Sequence, residues 1–427
     1  LSVTIETAHR FRGRFRLAGD KGLSHRLAIL GAMAEGTTRL HNFSSAADCA
    51  STLRCFEALG VAVRHVGGEV TVEGRGPGAW QAPSAPLDCG NSGSTLRMVA
   101  GALAGRPFTS VLTGDDSLRR RPVERVAAPL RAMGAQAEGV DGKPPLTIRG
   151  GSLRGITWDM PVASAQVKTA ILLAGLGASG VTTVKSPAES RDHTERLLPL
   201  FGVPVERDGL SVSVRGGGSL RAAEVTVAGD VSSAAFLVVA ALIRPESEVR
   251  IDDVLLNPGR LGFVDVLRAM GADIETEVKS RDPEPVGTIV ARASKLRGVD
   301  VPATAVPGLI DEVPALCVAA AHAQGRFTIT GASELRVKES DRIAALAEGL
   351  GRLGARVEER PDGLAIEGGV PLKGAAVRAH EDHRIAMAMA IAGLAASGKT
   401  EVEGAECASV SFPEFYGLLA EGVRGAA

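Results

Sequence analysis

The sequence predicts a mixed α/β (α+β) fold of six repeated units, with apolar helices inside and strands and amphipathic helices around them. Three observations predict it: two interleaved series of punctuated segments, six helices apolar nearly all round, and a polar group leading into each. The first series is an apolar-periodic segment, then Gly, then a small or β-branched residue opening a strand. It occurs at Gly60, Gly134, Gly202, Gly271 and Gly354, with a weaker sixth at Gly422, at intervals of about 70 residues. A helix that ends in this way needs a residue at positive φ, which glycine adopts without strain.

The second series is offset from the first. Small-residue apolar segments run over 27–34, 96–104, 169–178, 234–243, 315–323 and 385–396. They give way to β-like runs at Gly36, Gly105, Gly180, Pro245, Gly325 and Gly398. Helices without a polar face belong in an interior. The six leaders are Gly19-Asp20-Lys21-Gly22-Leu23-Ser24-His25-Arg26, Cys89 to Arg97, Ala163-Ser164-Ala165-Gln166-Val167-Lys168, Gly229-Asp230-Val231-Ser232-Ser233, Leu309-Ile310-Asp311-Glu312 and His380-Glu381-Asp382-His383-Arg384. Taken singly, Ser, Asn and Asp here are helix caps. Taken together, six buried helix starts with free N–H groups, beside Lys and Arg, suit phosphate or carboxylate.

Two further clusters are polar. Arg119-Arg120-Arg121 precedes Pro122, which belongs in the first turn of a helix; such a triple is either a solvated face or an anion contact. Arg336 to Arg342 packs five charges into seven residues before a helix at 343–350. Ser340 or Asp341 can cap that helix with the charges exposed. Alternatively Lys338 and Arg342 hold anions while Glu339 acts as acid or base.

Composition narrows the function. A net charge of −1 and 3% aromatic residues exclude bulk nucleic-acid binding and base-stacking platforms. With 45% hydrophobic and 23% charged residues the chain folds, and its length allows two to four domains. The longest apolar stretch, 385–396, is too short for a membrane span. We expect no secretory signal around Arg10-Phe11-Arg12-Gly13-Arg14. Cys49, Cys55, Cys89, Cys317 and Cys407 form no CxxC and read as small hydrophobes in a reducing, cytoplasmic setting.

These motifs together resemble the 3-phosphoshikimate 1-carboxyvinyltransferase, or 5-enolpyruvylshikimate-3-phosphate (EPSP) synthase, family over essentially the whole chain. The carrying residues are Asp20-Lys21 with Ser24-His25-Arg26, Gly90-Asn91-Ser92-Gly93-Ser94 with Arg97, Arg121-Pro122, Ser164 to Lys168, Ser190-Arg191-Asp192-His193-Thr194, Gly229-Asp230, Asp311-Glu312, Arg336 to Arg342, and Asp382-His383-Arg384. Ser164-Ala165-Gln166 and the 335–342 segment resemble the class II branch, some members of which tolerate glyphosate.

The resemblance implies a two-lobed, inside-out α/β barrel of βαβαββ units, three per lobe, with helices inside and sheets outside. One lobe would be 1–17 with 230–427, the other 18–229, with hinges near Gly19 and Gly229. Helix N-termini would face a cleft that closes on two anionic substrates. It also implies transfer of the enolpyruvyl group of phosphoenolpyruvate to the 5-hydroxyl of shikimate 3-phosphate, releasing phosphate, without metal or cofactor.

By family position, Asp311, Glu339 and Lys21 are catalytic. Lys21, Arg26, Ser164, Ala165, Gln166, Ser190, Asp311 and Lys338 contact shikimate 3-phosphate. Lys21, Asn91, Gly93, Arg121, Gln166, Arg342 and Arg384 hold phosphoenolpyruvate, with Asp230 and His383 in support. Glyphosate is the expected competitive inhibitor, and a monomer the expected state.

Two positions depart from the family pattern. Gly22 replaces a serine that contacts the shikimate phosphate, removing a hydroxyl and loosening the loop. Val410 stands where the class I branch has a lysine. Gly93 leaves room where bulkier residues would crowd glyphosate. UDP-N-acetylglucosamine enolpyruvyltransferase shares the implied chemistry, but its loop cysteine has no counterpart in Gly114-Asp115-Asp116-Ser117-Leu118. RNA 3′-phosphate cyclase would need a basic strand-binding face. A weakly active, anion-binding relative is the remaining alternative.

Overall fold

The computed structural model describes residues 1–425, and the chain forms two units, each with its own core. One is continuous, Ala18–Val227; the other joins Leu1–Leu17 to Ala228–Ala427. The continuous unit contains α1 (Lys21–Met33), α2 (Ala47–Ala58), α3 (Gly93–Leu103), α4 (Asp116–Arg119), α5 (Glu124–Met133), α6 (Ala165–Leu176) and α7 (His193–Leu197). The discontinuous unit contains α8 (Val231–Leu242), α9 (Gly262–Ala269), α10 (Val313–His322), α11 (Arg342–Arg352), α12 (His383–Ala395) and α13 (Phe415–Arg424).

The apolar segments of the second series fall in α1, α3, α6, α8, α10 and α12. All twelve residues of α8 are buried, as are Leu23 through Met33 of α1. Each large aliphatic side chain hidden in this way contributes roughly 1.5–3 kcal/mol, so packing rather than propensity holds these helices. Each helix starts earlier than its apolar segment. Part of most polar leaders therefore lies in a first helical turn, and Gly22 is the second residue of α1, while 309–312 precedes α10 entirely. The expectation that Gly22 loosens a loop is corrected: it is held in a helical turn.

Each unit has three sheets with one wiring: a short strand parallel to a central strand, which pairs antiparallel with the next. Leu87–Asp88, Thr109–Thr113, Lys143–Arg149 and Gln136–Val140 follow this order, with α3 between the first two. The chain exchanges one strand between units. Arg12–Arg16 leads directly into α1 but pairs with Glu248–Leu255, the strand after α8. Glu224–Thr226 leads into α8 but pairs with Ala34–His41, the strand after α1. In the discontinuous unit Ser2–Ile5 pairs antiparallel with Thr400–Glu403.

The first glycine series lies where its spacing places it. Gly60, Gly134, Gly202, Gly271 and Gly354 all have φ between 83° and 115°. The sixth is different: Gly422 lies inside α13, and the left-handed residue ending that helix is Gly425. A Cβ on Gly422 would meet the Phe11 ring at 2.2 Å, so close packing selects glycine there. Pro122 also falls short of its expected place, since α5 begins at Glu124 after Val123. Four cysteines are buried and Cys407 is half-buried.

Helix-to-helix approach in the continuous unit is set by Gly101, where a Cβ would lie 2.2 Å from the Ala170 carbonyl oxygen of α6. Neither backbone can yield cheaply. Gly101→Ala should therefore lower stability by about 1–3 kcal/mol in urea unfolding. Gly351→Ala, on the open face of α11 with nothing within 4 Å, should raise it by about 0.5–1 kcal/mol.

Candidate active site

In the continuous unit, three inner-helix N-termini carry the polar groups. Asp20 caps α1, its Oδ1 accepting from the Leu23 amide at 2.9 Å. Ser92 caps α3 and Ser164 caps α6. With the caps satisfied by these residues, the longer side chains of the first turns are available for other work. Lys21 Nζ lies 2.8 Å from Asp48 Oδ2 of α2. Arg26, one turn further on, is buried and donates to Thr194 Oγ1, Thr169 Oγ1 and the Gly22 carbonyl at 2.9–3.1 Å. Arg97 donates to Gln166 Oε1 at 2.7 Å, and Gln166 donates on to Ser94 Oγ at 2.8 Å. Arg121 donates to Asn91 Oδ1 at 3.1 Å, and Asn91 to Asp115 at 2.7 Å. Of the triple arginine, Arg119 and Arg120 are exposed and Arg121 is buried.

Other groups in this unit explain the geometry. Lys168, a charge on an otherwise apolar helix, is buried and pairs with buried Glu195 at 2.5 Å. His25 is buried against Thr52 at 2.7 Å. Burial, and then the charges of Lys21 and Arg26, hold its pKa well below the usual histidine range, so it is neutral. Ser190 Oγ is buried without a hydrogen-bond partner among the described residues. Such an orphaned hydroxyl costs stability unless a ligand meets it. Gly93 opens α3, and a Cβ there would lie 2.7 Å from Arg97 Nη1 and 3.3 Å from Arg121 Nη1.

The discontinuous unit gathers the carboxylates. Asp230 caps α8 through the Ser232 and Ser233 amides, with Arg260 Nη2 at 3.8 Å. Ser232 is hydrogen-bonded to buried Glu312 and receives Arg260 Nη2 at 2.7 Å. Asp382 caps α12 and also receives Arg342 Nε at 2.7 Å and Ser340 Oγ at 3.1 Å. Arg342 Nη2 reaches Glu339 Oε2 at 2.6 Å. Asp311 stands 3.6 Å from both Lys338 Nζ and Arg342 Nη1. It is spared from capping, because α10 starts from Glu312 without a side-chain cap.

Arg342 is 1% exposed, so the reading of this segment as solvated charge fails at its most important residue. Burial works against its charge, but Asp382, Glu339 and Asp311 together raise its pKa above the usual value. Burial likewise opposes ionisation of Asp382, and Arg342 outweighs it, leaving the carboxyl below its usual range. Arg384 is buried, and its guanidinium has no hydrogen bond or ion pair among the described residues. His383 is buried beside it on α12. Val410 is half-buried at the end of a 3₁₀ turn, 405–410.

The leader motifs marked most of these residues. Asp48, Glu195 and Arg260 were missed, because each sits in an ordinary helix or turn with no local signal. Lys168 carried a usable one, a lone charge in an apolar helix.

Capped helix starts with lysines, arginines and carboxylates gathered beside them define a class of protein suited to small anionic ligands. The family model described as EPSP synthase (3-phosphoshikimate 1-carboxyvinyltransferase) matches residues 5–419. A 3-phosphoshikimate 1-carboxyvinyltransferase of Brevibacillus brevis is 48% identical over 98% of this chain and 99% of its own. One of Pelotomaculum thermopropionicum is 51% identical over 99% of each chain. The solved EPSP synthase of Acinetobacter baumannii is similar at a TM-score of 0.88 and 43% identity, covering 99% of this chain and 98% of that one. The enolpyruvyl transferase NikO of Streptomyces tendae shares the fold at a TM-score of 0.79 and 22% identity, over 98% and 96% of the two chains. The chain belongs to the EPSP synthase family, whose members are transferases.

The Asp382–Arg342 pair is a stability element as well as part of the site. A carboxyl with a lowered folded pKa stabilises above its unfolded pKa and stops doing so as pH falls through the folded value. Asp382→Ala strands a buried guanidinium. It should cost about 3–5 kcal/mol at pH 7 and flatten the acid limb of stability against pH, measured by urea unfolding below pH 5.

Proposed function

We infer that this chain transfers the enolpyruvyl group of phosphoenolpyruvate to the 5-hydroxyl of shikimate 3-phosphate, with release of phosphate. The reaction removes the hydroxyl proton and adds a proton to the methylene carbon. The tetrahedral adduct then loses a proton and phosphate. It needs carboxylates that exchange protons, cations at phosphate and carboxylate, and no nucleophilic thiol. The observation that carries the reading is Asp311. It is a carboxylate at an inner-helix start that is not used as a cap, and it stands 3.6 Å from both Lys338 and Arg342.

Asp311 and Glu339 are the acid–base carboxylates of this proposal, and Lys21 is a proton donor and phosphate contact. The Lys21–Asp48 pair holds that ammonium in place. Arg26, Ser164, Ala165, Gln166, Ser190 and Lys338 receive shikimate 3-phosphate, and the orphaned Ser190 hydroxyl supports the assignment. Arg121, Asn91, Gly93, Gln166, Arg342 and Arg384 receive phosphoenolpyruvate, supported by the unpaired guanidinium of Arg384. Asp230 and His383 shape the helix starts they occupy.

Glyphosate, an anion of similar charge, competes with phosphoenolpyruvate in this reading. The enzyme acts as a monomer, supported by a separate core in each unit. A cytoplasmic setting is supported by the four buried thiols, of which burial pushes that of Cys317 up to about 12. No helix of the described residues is long and apolar enough to cross a membrane.

The test is phosphate release from phosphoenolpyruvate with shikimate 3-phosphate, with UDP-N-acetylglucosamine as control. Release only with the latter, or with neither, overturns the assignment. Glu339→Gln and Asp311→Asn should each lower kcat by about 10²–10⁴ while shikimate 3-phosphate still binds in calorimetry. Gly22→Ser places a Cβ 3.1 Å from Asp20 Oδ1, which the carboxylate can accommodate by a small shift. It should lower the KM for shikimate 3-phosphate by roughly 2- to 13-fold, the worth of one ordinary hydrogen bond; an unchanged KM shows that the hydroxyl is dispensable.

A further inference from the structure

The continuous unit has a cavity of about 390 Å³ at the C-terminal ends of α1, α3 and α6. These helices are 11–13 residues long, so the cavity lies roughly 17–20 Å along their axes from Lys21, Gly93 and Gln166. Its walls include Met33, Ala102, Leu173, Leu176 and Leu220, and two cations, Arg75 and Arg106, line it. Glu35 lines it as well; it is exposed, as is Arg75, which stands opposite it in the neighbouring strand, so this pair adds no net charge to the lining.

Arg106 stands out by what it lacks. Its guanidinium lies 5.9 Å from the centre of the Trp80 ring. Its Nε is buried without a partner, and no side-chain hydrogen bond or ion pair is made to it among the described residues. Burial lowers its pKa.

The ordinary role for such an arginine, donating to the last carbonyls of a helix, is already filled by others. Leu103 O accepts from the Arg106 amide itself, and Ala104 O accepts from the Gly151 amide. Leu176 O accepts from the Gly217 amide, and Ala32 O from Trp80 Nε1. A half-buried cation with several idle donors is unfavourable unless an anion meets it.

We propose that this cavity is a second ligand site that takes a small monocarboxylate with a compact apolar body, its carboxylate on Arg106 and its body against Met33, Leu173 and Leu176. One uncompensated cation calls for one negative charge, and the apolar walls call for a body that a free phosphate lacks. The proposal does not rest on the enolpyruvyl-transfer reading.

The chain has two tryptophans, so Trp158→Phe leaves Trp80 as the reporter beside Arg106. Phenylacetate, its neutral isostere phenylacetamide and inorganic phosphate are titrated in turn, with shikimate 3-phosphate saturating. Phenylacetate should change Trp80 fluorescence saturably and bind at least tenfold more tightly than the other two. Arg106→Met should weaken it at least tenfold while turnover stays unchanged. Gly218→Phe should also block it; Gly218 lines the cavity, and a Cβ there meets nothing within 4 Å. No saturable change, equal binding of phenylacetamide or phosphate, or equal affinity in both variants overturns the proposal. Loss of phosphate release in the unmutated enzyme bears on the catalytic reading alone.

Discussion

Arg342 is the group on which the discontinuous unit's chemistry depends. It starts α11, is fully enclosed, and touches Asp382, Glu339 and Asp311. A buried guanidinium is tolerable only with such company, and the carboxylates are equally dependent on it. Asp382 is also tied to the N-terminus of α12. The arginine therefore joins the starts of two helices while holding two candidate proton carriers close to a positive charge. Removing any one of the four alters the ionisation of the rest.

The continuous unit solves a different problem. Its cations have mixed partners: carboxylates for Lys21 and Lys168, hydroxyls and a carbonyl for Arg26, side-chain amides for Arg97 and Arg121. Hydroxyl, carbonyl and amide partners fix the direction of a guanidinium without themselves carrying a charge. The carboxylates of the other unit are held by direct ion pairs instead.

Much of this was legible in the sequence, for physical reasons that can be named. Five of the six glycines at helix ends are forced by a left-handed backbone, and such a requirement shows in a single residue. Gly422 carries the same letter for another reason, the bulk of Phe11, and long-range packing leaves no local mark. Caps were legible because Asp, Ser and Asn have few other reasons to stand before an apolar run. The resemblance named the site residues, but the pairings did not follow from it. Asp48 and Glu195 are unremarkable in sequence, and their meaning comes from the partners that folding brings to them. Pro122 was misplaced by two residues because helix starts are weakly determined.

The strand exchange sets an order on synthesis. Ala18–Val227 contains every strand of its own three sheets, so it can complete its core while later residues are still being made. Arg12–Arg16 must wait for Glu248–Leu255, and Ser2–Ile5 must wait for Thr400–Glu403. Strands made before α1 are thus among the last to be paired. Over that interval their edges are open to other chains, and the alternation of charged and apolar residues in Arg12-Gly13-Arg14-Phe15-Arg16 acts as a safeguard against premature association.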